Sequence, residues 1–217
     1  MPSVPETDLE AAPAVSAEAA AVIRALRSRR TVSQGSLSQT VKPDHGVVLE
    51  ALESARWAPN HHLTEPWRFY LLDEHRIRRL GELWAQVLER QGSSAAKVQA
   101  KREQWSASRG VALLVCRSAP GSSETVRRED YAACCCAAQN FMLHLWACGL
   151  GSKWSTAAVE THEDFWPLLG HPERPEGAEL VGVLFYGVPE RVPPGRRNRS
   201  LAEVTVDFRA LEADASA

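Results

Sequence analysis

Apolar residues recur along this chain at two spacings, and the alternation between them predicts helices layered on a few short strands. Val22, Ile23 and Leu26 stand at helical spacing, so a first helix is expected from a Ser16 cap through Arg29. A polar stretch from Thr31 to Lys42, containing Gly35, reads as a loop. Pro43-Asp44 then opens a second helix with an inner face of Val48, Leu52 and Ala55, and Pro59 stops it. Trp67 to Leu72 is a short run suited to a buried strand. Asp73 starts a helix whose stripe is Ile77, Leu80, Trp84 and Val87. Residues 92–109 are polar and basic and predict a mobile helix or lid. Val111 to Cys116 is a second buried strand, and a long helix from Glu124 to Cys148 ends before Gly149. A short helix over residues 161–169 and a third strand from Leu180 to Tyr186 complete the pattern.

Helices alternating with three strong strands give an α+β or α/β layered domain without internal repeats. Three strands are few for a sheet covered on both faces. A further strand is therefore expected from the tail, around Val204-Thr205-Val206, donated by a partner chain. Residues 1–15 carry too little large apolar surface to pack and are expected to be a flexible arm, leaving residues 16–217 as one domain.

Composition narrows the function more than the fold. At 217 residues, 44% hydrophobic and 24% charged, the chain can bury an ordinary core. A net charge of −2 argues against nucleic acid or an acidic membrane surface as partner. No apolar run approaches the roughly 20 residues that span a bilayer, and the acidic, Ala/Pro-rich start is unlike a signal peptide. Five cysteines, three of them adjacent, do not make a disulfide framework, so a cytoplasmic location is expected. Seven Trp against three Tyr suit a core that holds a planar ligand, and equally suit ordinary packing.

Several chemistries are excluded by motif. There is no G-x-S-x-G, H-E-x-x-H or P-loop, and the G-x-G of Gly149-Leu150-Gly151 ends a helix rather than opening one after a strand. Cys134, Cys135 and Cys136 point about 100° apart on a helix and cannot converge on one metal; His144 and Cys148 share a face and read as core packing. Three segments keep a ligand reading beside a bland one. Arg29-Arg30-Thr31 suits a phosphate, or complements the C-terminal end of the first helix. Arg196-Arg197-Asn198-Arg199 is a solvated tail, or meets that first cluster around one anion. The loop from Ala58 to Phe69, held by Pro59 and Pro66, offers His61, His62 and Glu65 to a heteroaromatic edge, or is a plain helix–strand connection.

Taken in order, these segments resemble the nitroreductase family of flavoproteins, nearest its small short-chain subfamily. The family's R-R-S-like triplet is matched by Arg29-Arg30-Thr31, and its A-P-S/D-x-x-x-x-Q-P-W-x-F loop by APNHHLTEPWRF. Its E-D-x-A…Q-N helix and G-x-G-x-x-W are matched by Glu129-Asp130-Tyr131-Ala132, Gln139-Asn140 and Gly149 to Trp154. Its V-G-x-L-x-x-G-x-P strand is VGVLFYGVP at residues 181–189, and the resemblance covers residues 20–208. It implies a nitroreductase-like α+β fold: a central mixed sheet flanked by helices and completed by a C-terminal strand exchanged within a homodimer. It also implies FMN held between subunits, NADH or NADPH as co-substrate in the same site, and a nitro compound, quinone or related small molecule as acceptor. The alternatives are another flavin reaction on the same scaffold, dehydrogenation or flavin breakdown, or a non-catalytic member that holds flavin or another ligand. By resemblance, Arg29, Arg30 and Thr31 approach the phosphate and ribityl chain, Arg199 reaches the phosphate, and His61, Glu65, Ser155 and Thr156 lie by the flavin. No side chain is implied as the catalyst, since the flavin carries the hydride. The chain departs from the pattern at Ser33, where the family continues with another arginine, at Leu63 for an asparagine, and at Glu65 for the glutamine of Q-P-W.

Overall fold

A strand that is apolar at every position must be covered on both faces, and the segment Val111–Arg117 is buried at all but its last residue. The computed structural model, which describes residues 16–208, builds the unit Arg29–Pro193 around it. Trp67–Leu71 (β1), Val111–Arg117 (β2), Gly151–Ser155 (β3) and Ala178–Gly187 (β4) form one sheet in the order β1-β2-β4-β3. Every pairing among the four is antiparallel, and a bulge shifts the β2–β4 register between Leu114 and Val115. The parallel part of the expected mixed sheet is a single bridge between Thr31 and Ser152 at the β3 edge.

The fourth strand is the main addition to the sequence reading. GSKWS at residues 151–155 is too short and too polar to announce itself; its pairing with β4 from Ser155–Val183 to Gly151–Gly187 makes it a strand. It follows the long helix directly. Gly149 at φ 81° sits beyond that helix, Leu150 N–H donates to Leu145 O at 2.8 Å and Gly149 N–H to Trp146 O at 3.1 Å. This paired closure satisfies two end carbonyls and turns the chain back onto the sheet.

Successive sheet residues face opposite layers. On one face Ala112, Leu114 and Leu184 pack with Val48, Ala51, Phe141 and Leu145 from the helices His45–Ala55 and Glu124–Ala147. On the other, Leu113, Val115, Val183 and Phe185 pack with Ile77, Leu80, Trp105 and Phe165. Numbering the helices in chain order, α1 is Ala17–Ser28, α2 His45–Ala55, α3 Glu74–Arg90, α4 Ala95–Ser106, α5 Glu124–Ala147 and α6 Phe165–Leu168. Asp44, Asp73, Ser94 and Ser123 cap α2, α3, α4 and α5 by accepting from a backbone N–H three residues on.

Several expectations need correction. Of the helix or lid expected at residues 92–109, the structure shows the helix, packed on α3 and not a lid: α4 buries Val98 and Trp105, and Arg102 donates to Glu82 at 2.9 Å and to Glu89 at 3.0 Å on α3. The short helix expected at 161–169 is α6, confined to Phe165–Leu168 and preceded by a 3₁₀ turn, Ala158–Thr161. His144 and Cys148 are not core: His144 Nδ1 meets Ser54 Oγ at 2.8 Å across the α2–α5 contact, and Cys148 is exposed at the α5 terminus.

The second unit comprises residues 16–28 and 194–208 among those described. Ser16 Oγ accepts from Ala19 N–H, as the cap predicts. No residue of α1 is buried, and Val22 is 60% exposed. Val204, Thr205 and Val206 form no strand in this single chain. The expected arm at residues 1–15, and residues 209–217, lie outside the described part.

Candidate functional site

Thr31 reaches the sheet through the backbone. Val32 N–H donates to Ser152 O at 2.9 Å, which lays residues 31–32 along the outer edge of β3. Gly151 permits this approach, because a Cβ there would meet Val32 Cγ2 at 2.9 Å. Arg29 and Arg30 enter the same edge half-buried, with Arg30 Nη1 donating to Arg29 O at 2.9 Å. The Thr31 side chain is exposed, whereas Ser152 Oγ is buried with no hydrogen-bond partner. Beyond Thr31, Ser33 Oγ meets Ser36 Oγ at 3.0 Å and Gln34 Nε2 donates to Ser108 Oγ at 3.4 Å, joining this loop to the end of α4.

The other end of β3 supplies Ser155, half-buried, and Thr156, exposed. Trp154 fixes that end by donating Nε1 to Val181 O at 3.2 Å. It lies over Gly182, where a Cβ would stand 2.1 Å from the indole nitrogen. A cleft of about 420 Å³ opens beside Thr156, along the part of β4 that β3 does not cover. Glu160 lines it; one of its carboxylate oxygens is buried and unpartnered, and burial holds the carboxyl above its ordinary range.

His61 and Glu65 stand elsewhere. His61 Nδ1 meets Glu129 Oε2 at 2.9 Å, its ring stacks on His62 at 3.8 Å, and Thr64 Oγ1 donates to the buried Asp130 at 2.7 Å. The loop is thus tied to the first turns of α5 by the Glu129-Asp130 pair. It is also strained, since His62, Leu63 and Glu65 have φ of 55°, 53° and 42°. The Glu65 side chain is exposed, and no ion pair joins it to Arg68, whose Nη1 donates to Trp67 O.

Register places these groups far apart within one chain. Trp67, which follows the His61 loop, pairs with Cys116 and so lies level with Glu179; Ser152, beside Thr31, is level with Tyr186. These are diagonally opposite corners of the sheet. At about 4.8 Å per strand and about 3.3 Å per residue they are about 25 Å apart. The structure therefore brings together Arg29, Arg30, Thr31, Ser155 and Thr156 along the β3 edge, and keeps His61 and Glu65 away from them. Arg199 is exposed in the second unit.

Among the described residues no group of His, Cys, Asp and Glu is placed to hold a metal ion, and no helix is long and apolar enough to cross a membrane. Sequence reasoning gave no part to Ser152, Lys153 and Glu160, which only β3 and the cleft beside it bring to this edge.

Comparison with known proteins bears on the family and the fold. The model of the Nitroreductase family matches residues 26–187. Over 183 residues the chain is 26% identical to YfhC of Bacillus subtilis (strain 168), a protein provisionally described as an NAD(P)H nitroreductase, covering 82% of this chain and 89% of that one. A nitroreductase-like family protein from Bacillus cereus superposes with a TM-score of 0.72 at 23% identity, over 91% of this chain and 99% of that one. The FMN-dependent nitroreductase NfnB from Mycobacterium smegmatis, in complex with NADPH, gives a TM-score of 0.65 at 17% identity, over 88% and 100%.

Proposed function

Because the chain belongs to the nitroreductase family of oxidoreductases, we propose that it binds FMN along the β3 edge. On this reading it takes reducing equivalents from NADH or NADPH and delivers them to a nitro compound, quinone or related small acceptor. The observation that carries the proposal is the assembly at that edge: two arginines and an exposed hydroxyl beside one end of the short strand β3, Ser155 and Thr156 at the other. This donor set fits a ligand with a phosphate, a hydroxylated chain and a flat ring. Guanidinium groups fork onto phosphate oxygens, and hydroxyls serve the chain between. FMN, when bound, supplies the hydride chemistry. The protein's part is to bind and orient: Arg29 with Arg30 hold the charged end, Thr31 the chain, and the Ser155–Thr156 segment the ring, with Arg199 as a further phosphate ligand.

The diagonal separation of His61 from Thr31 supports a site built from two subunits. A single chain cannot bring the loop at residues 59–66 to its own β3 edge, but a two-fold partner can present its copy there. Apolar residues left in water agree: Trp57 is 81% exposed, Leu63 82% and Phe208 73%. In this homodimer the tail around Val204-Thr205-Val206 crosses to the partner as the exchanged strand, and residues 16–217 act as one domain. The five free cysteines suit a reducing cytoplasm.

The test is an anaerobic titration of the purified protein with NADH and with NADPH, followed by a screen of oxidants. A yellow dimer bleached by one nucleotide and recoloured by a nitro compound or quinone is the expected result. A colourless protein that takes up no FMN refutes the cofactor, and an active flavin-loaded monomer at micromolar concentration refutes the shared site.

A further inference from the structure

Lys153 is the residue of β3 that the assignments above leave without a task. It lies between Ser152, which is bridged to Thr31, and the Ser155–Thr156 end, so any ligand spanning those groups passes it. Its side chain is half-buried, and its cross-strand neighbour is Phe185, whose ring packs on Trp105 of α4 at 4.9 Å. Lys101 of α4 is the charge that faces it. The Lys101 ammonium donates to Gln104 Oε1 at 2.8 Å, a neutral acceptor. Among the described residues neither lysine is paired with a carboxylate, and the Lys153 ammonium makes no hydrogen bond. Burial and the Lys101 charge together hold the Lys153 ammonium below its ordinary range.

A half-buried cation beside a second cation, with no carboxylate paired to either, destabilises the chain that carries it. Such a pair is explained when a ligand brings the negative charge. The chain also lacks a cation where the family pattern has one, at Ser33, whose hydroxyl is turned to Ser36. We infer that Lys153, supported by Lys101, supplies that cation from the strand, facing the edge of the bound flavin that becomes negative on reduction. Lys153 is thereby the residue that sets how readily the flavin is reduced. This rests on the FMN reading above, and it deepens it with a residue that the family pattern does not mark. Charge near the ring nitrogens is one of the means by which a protein tunes a flavin. A fixed positive charge there favours the reduced anion over the neutral oxidised ring.

The experiment compares wild type with Lys153→Met, Lys153→Arg and Lys101→Met in three measurements: thermal unfolding without flavin, FMN binding by fluorescence quenching, and the potential of bound FMN. Lys153→Met is expected to unfold no lower than wild type without flavin, and to bind oxidised FMN within about threefold. It should lose about tenfold in affinity for reduced FMN, which lowers the two-electron potential by about 30 mV. Lys153→Arg should keep the wild-type potential, and Lys101→Met should shift it the same way as Lys153→Met by a smaller amount. An unchanged potential in a folded, FMN-loaded Lys153→Met overturns the inference while leaving the flavin reading intact. A Lys153→Met chain that is less stable or unfolded without flavin also overturns it, because the cation then serves the fold. A wild-type protein that takes up no FMN removes the flavin reading and this inference with it.

Discussion

Replacing Thr64 by valine exchanges a hydroxyl for a methyl at the point where the strained loop is tied to the body. The hydroxyl donates at 2.7 Å to Asp130, a carboxylate only 3% exposed on α5. The valine side chain cannot donate, so Asp130 is left facing a methyl group in a site water reaches poorly. Loss of a hydrogen bond to a charged group costs about 1.5–3 kcal/mol. The loop then holds its three left-handed residues with that tether gone and the exposed His61–Glu129 contact left, which is worth up to about 1 kcal/mol. For a chain of this size each kcal/mol moves the unfolding midpoint by about 2–4 °C, so Thr64→Val should unfold about 3–12 °C lower. Thr64→Ser, which keeps the donor, should stay near wild type. Hydrogen exchange should quicken in residues 60–66 before it quickens in β2. A double-mutant cycle with Asp130→Ala isolates the pair and should show about 1 kcal/mol or more of coupling. Thr64→Val within about 0.5 kcal/mol of wild type, with unchanged exchange in the loop, would refute the claim that Asp130 holds it.

Arg29→Ala should weaken FMN by about 1.5–3 kcal/mol while leaving riboflavin almost unaffected, measured by flavin fluorescence; equal losses for both would deny Arg29 its phosphate. Glu65→Gln should raise the potential of bound FMN if a partner's loop brings Glu65 to the ring, and an unchanged potential in the loaded dimer excludes that placement. Glu160 gives a pH signature. Burial raises its folded-state pKa, so the folded chain holds a proton that the unfolded chain releases, and stability falls as pH rises through that range. Glu160→Gln should therefore gain stability over wild type near pH 7 and lose that advantage near about pH 4; a pH-independent difference removes the burial argument. Gly182→Ala must displace the Trp154 indole and break its bond to Val181 O. A loss of about 1–3 kcal/mol by urea unfolding is expected, and none would mean that the β3 end is not fixed by that ring.

Local pattern determined much of this protein. Continuous apolar runs marked β1, β2 and β4, and helical spacing with capping residues marked α2, α3 and α5, because burial period and end satisfaction are properties of neighbouring residues. Motif order also indicated the family, and it singled out Arg29 to Thr31 and Ser155 to Thr156, which the fold sets along one strand edge. Tertiary structure alone decided what depends on partners distant in sequence. GSKWS is a strand only because the edge of β4 offers it hydrogen bonds, and α4 is anchored only because Arg102 finds Glu82 and Glu89 on α3. Sequence put His61 and Thr31 in one site; sheet register puts them at opposite corners of a single chain. The setting of Lys153 was equally hidden, since a lysine's sequence neighbours do not reveal which charges the fold brings near it.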